Sequence, residues 1–174
     1  MINSGMSSTQ MIAPTIYDPN DIAKFFLAQQ DEDAGDLISN LKLQKLCYYA
    51  QGLAMATRGV PMFNEPVEAW LHGPVVPCLY REYRSYGSAP IPAPTGFDIE
   101  AINPADRMIL EDVHTFYGQF SAWRLRQMTH EESPWRDAYE ADANHVISQD
   151  ALLAHFAGEI DDAYRAKYGE ISGR

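Results

Sequence analysis

The run from Ser39 to Gly59, SNLKLQKLCYYAQGLAMATRG, constrains the fold more than any other part of the chain. Leu43, Leu46, Cys47, Ala50, Leu53, Ala54 and Thr57 recur at helical spacing. Ser39 is placed to cap the start and Gly59 to end the helix. A helix this long and nearly apolar belongs at the centre of a fold, with other elements packed around it. Lys42, Lys45 and Tyr49 lie on a second face that Gly52 continues. A residue without a side chain there lets another element approach closely.

The flanking segments read as shorter helices. Asp18-Pro19-Asn20-Asp21 combines a cap with a first-turn proline, ahead of Ile22, Phe25 and Phe26 on one face. From Val67 the period changes to alternation, predicting a short strand near residues 66–72 that Gly73-Pro74 ends. Pro77 opens a helix that turns Leu79, Tyr80 and Tyr83 to the core and Arg81, Arg84 and Tyr86 outward, with Gly87 as its stop. The loop from Ser88 to Phe97 holds three prolines. Asn103-Pro104-Ala105-Asp106 starts a helix expected to bury Ile109, Val113, Phe116 and Phe120, with a break at Gly118. Ser121 caps a helix with Leu125 and Met128, and Ser133-Pro134 opens one around Trp135, Ala138 and Tyr139. Ser148 or Asp150 begins a last helix carrying Leu152, Phe156, Ile160, Ala163 and Tyr164, ending near Gly169. These readings predict a mainly α, compact single-domain fold over 17–170 with one small β element, preceded by a mobile tail over 1–16.

At 174 residues the chain has the length of one domain and can bury a core without staples. Its 13 Lys and Arg against 24 Asp and Glu give a formal charge of −11. That balance argues against binding nucleic acid through its backbone or an anionic membrane surface, and suits a basic protein partner. Cys47 and Cys78 form neither a disulfide framework nor a zinc pair. No secretory signal and no run near the ~18 apolar residues of a membrane span is seen, so a cytoplasmic location is expected.

Catalytic signatures are sparse. The eleven glycines are scattered singly, without the spacing that cradles a phosphate. Of the five histidines, His130, followed by Glu131 and Glu132, makes the best metal candidate, but adjacent helical residues point apart and the bland reading is a structural histidine. Cys47 falls inside the apolar stripe, and Cys78 sits in a first helical turn, where the dipole favours a thiolate but no base is near in sequence. Ten tyrosines and three tryptophans, many around the central segments, suit half-buried positions and protein interfaces. The residues therefore favour a binding module over an enzyme, and no cofactor is expected.

Four stretches together resemble the Panacea-domain antitoxins, a family that includes SocA-like antitoxins and phage-associated GepA-like proteins. Residues 40–52, NLKLQKLCYYAQG, are similar to its KLQKLxYYAQG helix, and residues 68–76, EAWLHGPVV, to its EAWxxGPVV turn. Residues 79–87, LYREYRSYG, resemble its LYxxYxxYG helix, and residues 129–135, THEESPW, its THExxPW motif. The order and spacing of all four agree over about residues 18–140.

The resemblance implies a non-catalytic antitoxin that neutralises a cognate toxin, encoded beside it, by direct protein contact. It also implies an alternative, an adaptor that delivers the toxin to an AAA+ protease such as ClpXP. A remote third reading is a metal-dependent enzyme centred on His130. The motif residues Lys42, Gln44, Lys45, Tyr49, Gly52, Gly73, Pro74, Thr129, His130, Glu131, Pro134 and Trp135 read first as architecture. In that reading Gly73-Pro74 turns a strand into a helix, and Glu131 or Glu132 supplies acceptors for the Lys42 and Lys45 amines. The functional counterpart has Lys42, Lys45, Trp70 and His130 touching the toxin. The interface is expected on the side of the GPVV turn and the tyrosine-bearing helix, through Trp70, His72, Arg81, Arg84 and Tyr86.

Overall fold

The computed structural model describes residues 13–142 and 144–173, so most of the expected tail lies outside the described residues. Of its last residues, Thr15 is held: its carbonyl accepts from Arg58 and its hydroxyl from the Asn103 amide.

The described residues hold eight α-helices, two 3-10 turns and a three-stranded sheet. The first helix, α1 (Pro19–Ala28), starts on Asp18, whose carboxylate accepts the Asn20 N–H, and buries Ile22, Phe25 and Phe26. The second, α2 (Asn40–Arg58), begins at the Ser39 cap and stops at left-handed Gly59. Every residue of α2 except Leu41 and Thr57 is buried. Strands β1 (Val67–Trp70) and β2 (Gly73–Val75) precede α3 (Pro77–Tyr83) and a 3-10 turn at Arg84–Tyr86. Then come α4 (Pro104–Tyr117), α5 (Ala122–Glu131), α6 (Ser133–Ala141), β3 (His145–Ile147), α7 (Gln149–Phe156) and α8 (Asp162–Ser172). The central helix α2 touches α1, α3, α4, α5, α7, α8 and β2, which is why its polar residues are buried along with its apolar ones.

Several local expectations change. Gly73-Pro74 does not end a strand or lead into a helix; it begins β2, which folds back antiparallel on β1 with Trp70 opposite Gly73 and Glu68 opposite Val75. The chain reverses at Leu71-His72, within the stretch read as strand, and Leu71 is 59% exposed at the hairpin tip. On the other side of β1 lies β3, which the sequence reading did not anticipate, with Val67 opposite Ile147. The expected C-terminal helix is two helices, because Asp161 caps a new start by accepting the Tyr164 N–H. Phe116 is exposed and Tyr117 takes its place in the core, while Phe120 is only partly buried. Tyr80, placed in the core from helical phase, is exposed beside Trp70. Ser133 does not cap α6: the cap position is Glu132, without a side-chain cap bond.

Candidate functional site

The polar residues of α2 are spent on holding the hairpin and α3. Gln44 accepts the Val76 N–H at 2.9 Å and donates to Asn40 at 2.8 Å, and Asn40 donates to the Tyr80 carbonyl. Lys45 is fully buried and donates to the Pro74 carbonyl at 2.9 Å. Burial pulls its pKa from 10.5 down to about 7, and the Arg126 charge adds to that. Lys42 donates to the Gly118 carbonyl at 2.6 Å and lies 3.5 Å from Asp36. Neither lysine meets Glu131 or Glu132, which corrects the expected pairing. Gly73 has a φ of +105°, and a Cβ there would stand 2.5 Å from Lys45 Cε and 2.9 Å from Thr129 Oγ1. Thr129 is itself buried and donates to the Arg126 carbonyl. The hairpin can sit this close to α2 and α5 only with glycine at that corner.

Glu132, at the junction of α5 and α6, turns inward. It accepts from the Tyr48 hydroxyl at 3.1 Å and the Tyr49 hydroxyl at 3.0 Å. Burial raises its carboxyl from 4.5 to about 7, although those two hydrogen bonds pull the other way. Glu131, by contrast, is exposed. His130 stacks on Trp135 with centroids 3.8 Å apart, and Trp135 stacks in turn on Tyr139. Pro134 is buried at the start of α6, and the Trp135 indole donates to the Trp70 carbonyl at 2.7 Å. Desolvation, then the Arg126 and Lys45 charges, lower the His130 pKa. Among the described residues no group of three or more His, Cys, Asp or Glu side chains is arranged for a metal. Burial raises the Cys47 thiol, and it raises Cys78 too, overriding the helix-dipole expectation there.

The outer side of the hairpin forms a different environment. A groove of about 450 Å³ runs between the hairpin, the start of α2 and α3, lined by Leu41, Trp70, Leu71, Val75, Tyr80 and Arg84 together with His72. Trp70 donates its indole N–H to Glu68 at 2.7 Å and packs edge-on against Tyr80. His72 Nδ1 accepts from Arg126 Nε at 3.1 Å, and the Arg126 guanidinium lies 4.6 Å over the Trp123 ring. Trp70, His72 and Arg84 thus come together in the groove, while Arg81 and Tyr86 are exposed on the same segment without lining it. Leu71 and Tyr80 are groove residues that the sequence reading missed, as is Arg126, which joins the groove through His72; an exposed two-residue reversal is the signal that points to Leu71.

The arginines divide by location. Arg58, Arg107, Arg136 and Arg165 each pair with a carboxylate, to Asp106, Glu100, Asp137 and Asp162. Among the described residues Arg81, Arg84, Arg124 and Arg126 do not.

Residues 43–136, from α2 to the start of α6, match the family described as antitoxin SocA-like, Panacea domain. The chain is also 36% identical over 109 residues to Antitoxin SocA of Caulobacter vibrioides (strain NA1000 / CB15N). That match covers 56% of this chain and 58% of the relative's length. No solved structure matches. The matched region contains Gln44 and Lys45 of α2, the Gly73 corner and the stacked His130–Trp135 pair. The chain belongs to the SocA-like Panacea-domain antitoxin family.

Proposed function

We propose that this protein neutralises a cognate protein toxin, encoded beside it, by direct binding through the groove outside the hairpin. Family membership supports the antitoxin role. The observation that carries direct binding is the aromatic groove itself: Trp70 and Tyr80 wall it, and Arg84 lines it without a carboxylate partner. Arg, Trp and Tyr are the residue types enriched among binding hot spots. The inner polar cluster is read as scaffold, because Lys45 and Glu132 are spent on internal hydrogen bonds and His130 on a ring stack. The same expenditure favours a binding protein over an enzyme centred on His130.

Expression of the neighbouring reading frame with and without this chain tests the proposal. Arrested growth with the neighbour alone, and rescue with a co-purifying complex, is the expected result. A harmless neighbour, or rescue without any complex, would sink it. Toxin lifetimes measured with and without the host AAA+ protease separate blocking from delivery: equal lifetimes exclude the adaptor.

A further inference from the structure

Resting on that antitoxin reading, we infer that the groove takes an acidic segment of the toxin, an apolar side chain flanked by carboxylates. The chain carries 24 acidic residues against 13 basic ones, yet among the described residues no carboxylate pairs with Arg81 or Arg84, which leaves both guanidinium groups for an outside partner. Arg81 and Arg84 are three apart on the segment that walls the groove, which sets them on one face. Arg126 reaches the same region from α5 through His72. Of the nearby acids, Glu68 is held by the Trp70 indole, and Glu82 lies about 100° round the helix from Arg81. Beside Arg84 the groove is lined by the apolar Leu41, Val75 and Trp70.

Guanidinium groups favour planar, bidentate partners, and a carboxylate supplies one. A nucleic-acid phosphate also offers two oxygens, but affinity for that backbone depends on many phosphates neutralised together, and a charge of −11 opposes that. A protein segment needs only two or three local charges. Its apolar residue would fill the space between Trp70, Leu71 and Tyr80, where burial adds to the ion pairs. The contact is locally acid-to-base even though the chain as a whole favours a basic partner at long range.

The test uses the neighbour-encoded toxin with the full chain and three variants: the Arg81→Glu/Arg84→Glu double variant, Leu71→Asp, and Lys167→Glu, an exposed control on α8. All four proteins are checked by thermal melting, since every substituted residue is exposed. The arginine double variant and Leu71→Asp are expected to weaken toxin binding at least roughly tenfold and lose rescue, while Lys167→Glu retains both. Changing a toxin Asp or Glu to Arg should restore binding to the double variant. Undiminished rescue by the folded double variant overturns the inference and leaves the antitoxin reading standing. Lost rescue that no carboxylate reversal restores overturns the acidic assignment, as does duplex DNA binding that the double variant abolishes. If the wild-type chain itself fails to rescue, the antitoxin reading falls and takes the inference with it.

Discussion

The Tyr49 ring lies flat on the Tyr117 ring, 3.6 Å between centroids and 10° from parallel. That stack ties α2 to α4, while the Tyr49 hydroxyl reaches across to Glu132 at 3.0 Å. One side chain therefore couples the core helix both to its apolar neighbour and to the α5–α6 junction. With Tyr48 donating to the other oxygen of the same carboxylate, Glu132 is a half-buried acid held by two neutral donors, and the one basic side chain within 4.0 Å of it among the described residues is the His155 imidazole.

This arrangement makes stability depend on pH. The Glu132 carboxyl is raised from 4.5 to about 7, so the folded state holds a proton that the unfolded state has released between those values. Its contribution is fully present below about 4.5 and falls as pH rises toward 7, by on the order of 3 kcal/mol. Replacing Glu132 with Gln removes the titration while retaining an oxygen acceptor. Thermal melts from pH 4.5 to 8 should show a smaller loss of stability in Glu132→Gln than in the wild type. Parallel curves would show that the carboxylate is solvated well enough not to matter.

Lys45 acts in the opposite sense and in a higher window. Burial lowers its folded pKa to about 7 from 10.5, so between those values the unfolded state binds more protons and stability rises with pH. Below about 7 the cost of the buried ammonium is fully present. Lys45→Met keeps the stem that packs under Gly73 and removes the charge, at the cost of the bond to the Pro74 carbonyl. Urea unfolding at pH 7 and pH 9.5 should show stabilisation of the wild type at the higher pH, and no such gain from this site in Lys45→Met. An equal gain in both proteins would assign it to another group.

Much of this design is readable in the chain because it is local. Ser39 and Gly59 bound α2, and Asp18 with Pro19 starts α1, through contacts within a few residues. What is not readable depends on distant partners. β3 is three residues with two exposed side chains, and it is a strand only because β1 lies beside it. The hairpin reverses at Leu71-His72 because Gly73 fits against Lys45 and Thr129, a corner supplied by two other helices. Helical phase leaves Phe116 and Tyr117 nearly equivalent, and the stack on Tyr49 selects the latter. The groove residues Trp70, His72 and Arg84 could be named singly from the sequence, but their convergence follows from the hairpin, which could not.

The close approach at Gly52 gives a packing prediction. A Cβ there would stand 2.1 Å from Phe156 Cε2 and 2.2 Å from Cδ2, and the Phe156 ring is fully buried with T-shaped contacts to Tyr48 and Tyr49. The ring has nowhere to retreat without moving α7. Gly52→Ala should cost about 1–3 kcal/mol by overpacking, despite alanine's better helix propensity. Adding Phe156→Leu should recover part of the loss, so that the double variant is more stable than the sum of the singles. Strict additivity in chemical denaturation would mean that the two positions do not press on each other.

The last prediction concerns a buried ion pair that the sequence hides, because Asp106 reads as a first-turn acid and Arg58 as a helix end. Arg58 Nη1 meets Asp106 Oδ1 at 3.0 Å, with side chains 0% and 2% exposed. The arginine also donates to the carbonyls of Thr15, Val60 and Pro61. Asp106 in turn accepts from the hydroxyls of Tyr17 at 2.5 Å and Tyr168 at 2.8 Å. This one carboxylate therefore joins the end of α2, the segment before α1, α4 and α8. Asp106→Ala strands a guanidinium in the interior and leaves both hydroxyls without their shared acceptor, which should cost about 3–5 kcal/mol. Replacing the pair together, as Arg58→Met with Asp106→Leu, removes the uncompensated charge and should cost clearly less than the single change. If calorimetry finds the double variant as unstable as Asp106→Ala, the loss comes from the tyrosine and carbonyl hydrogen bonds rather than from the stranded charge.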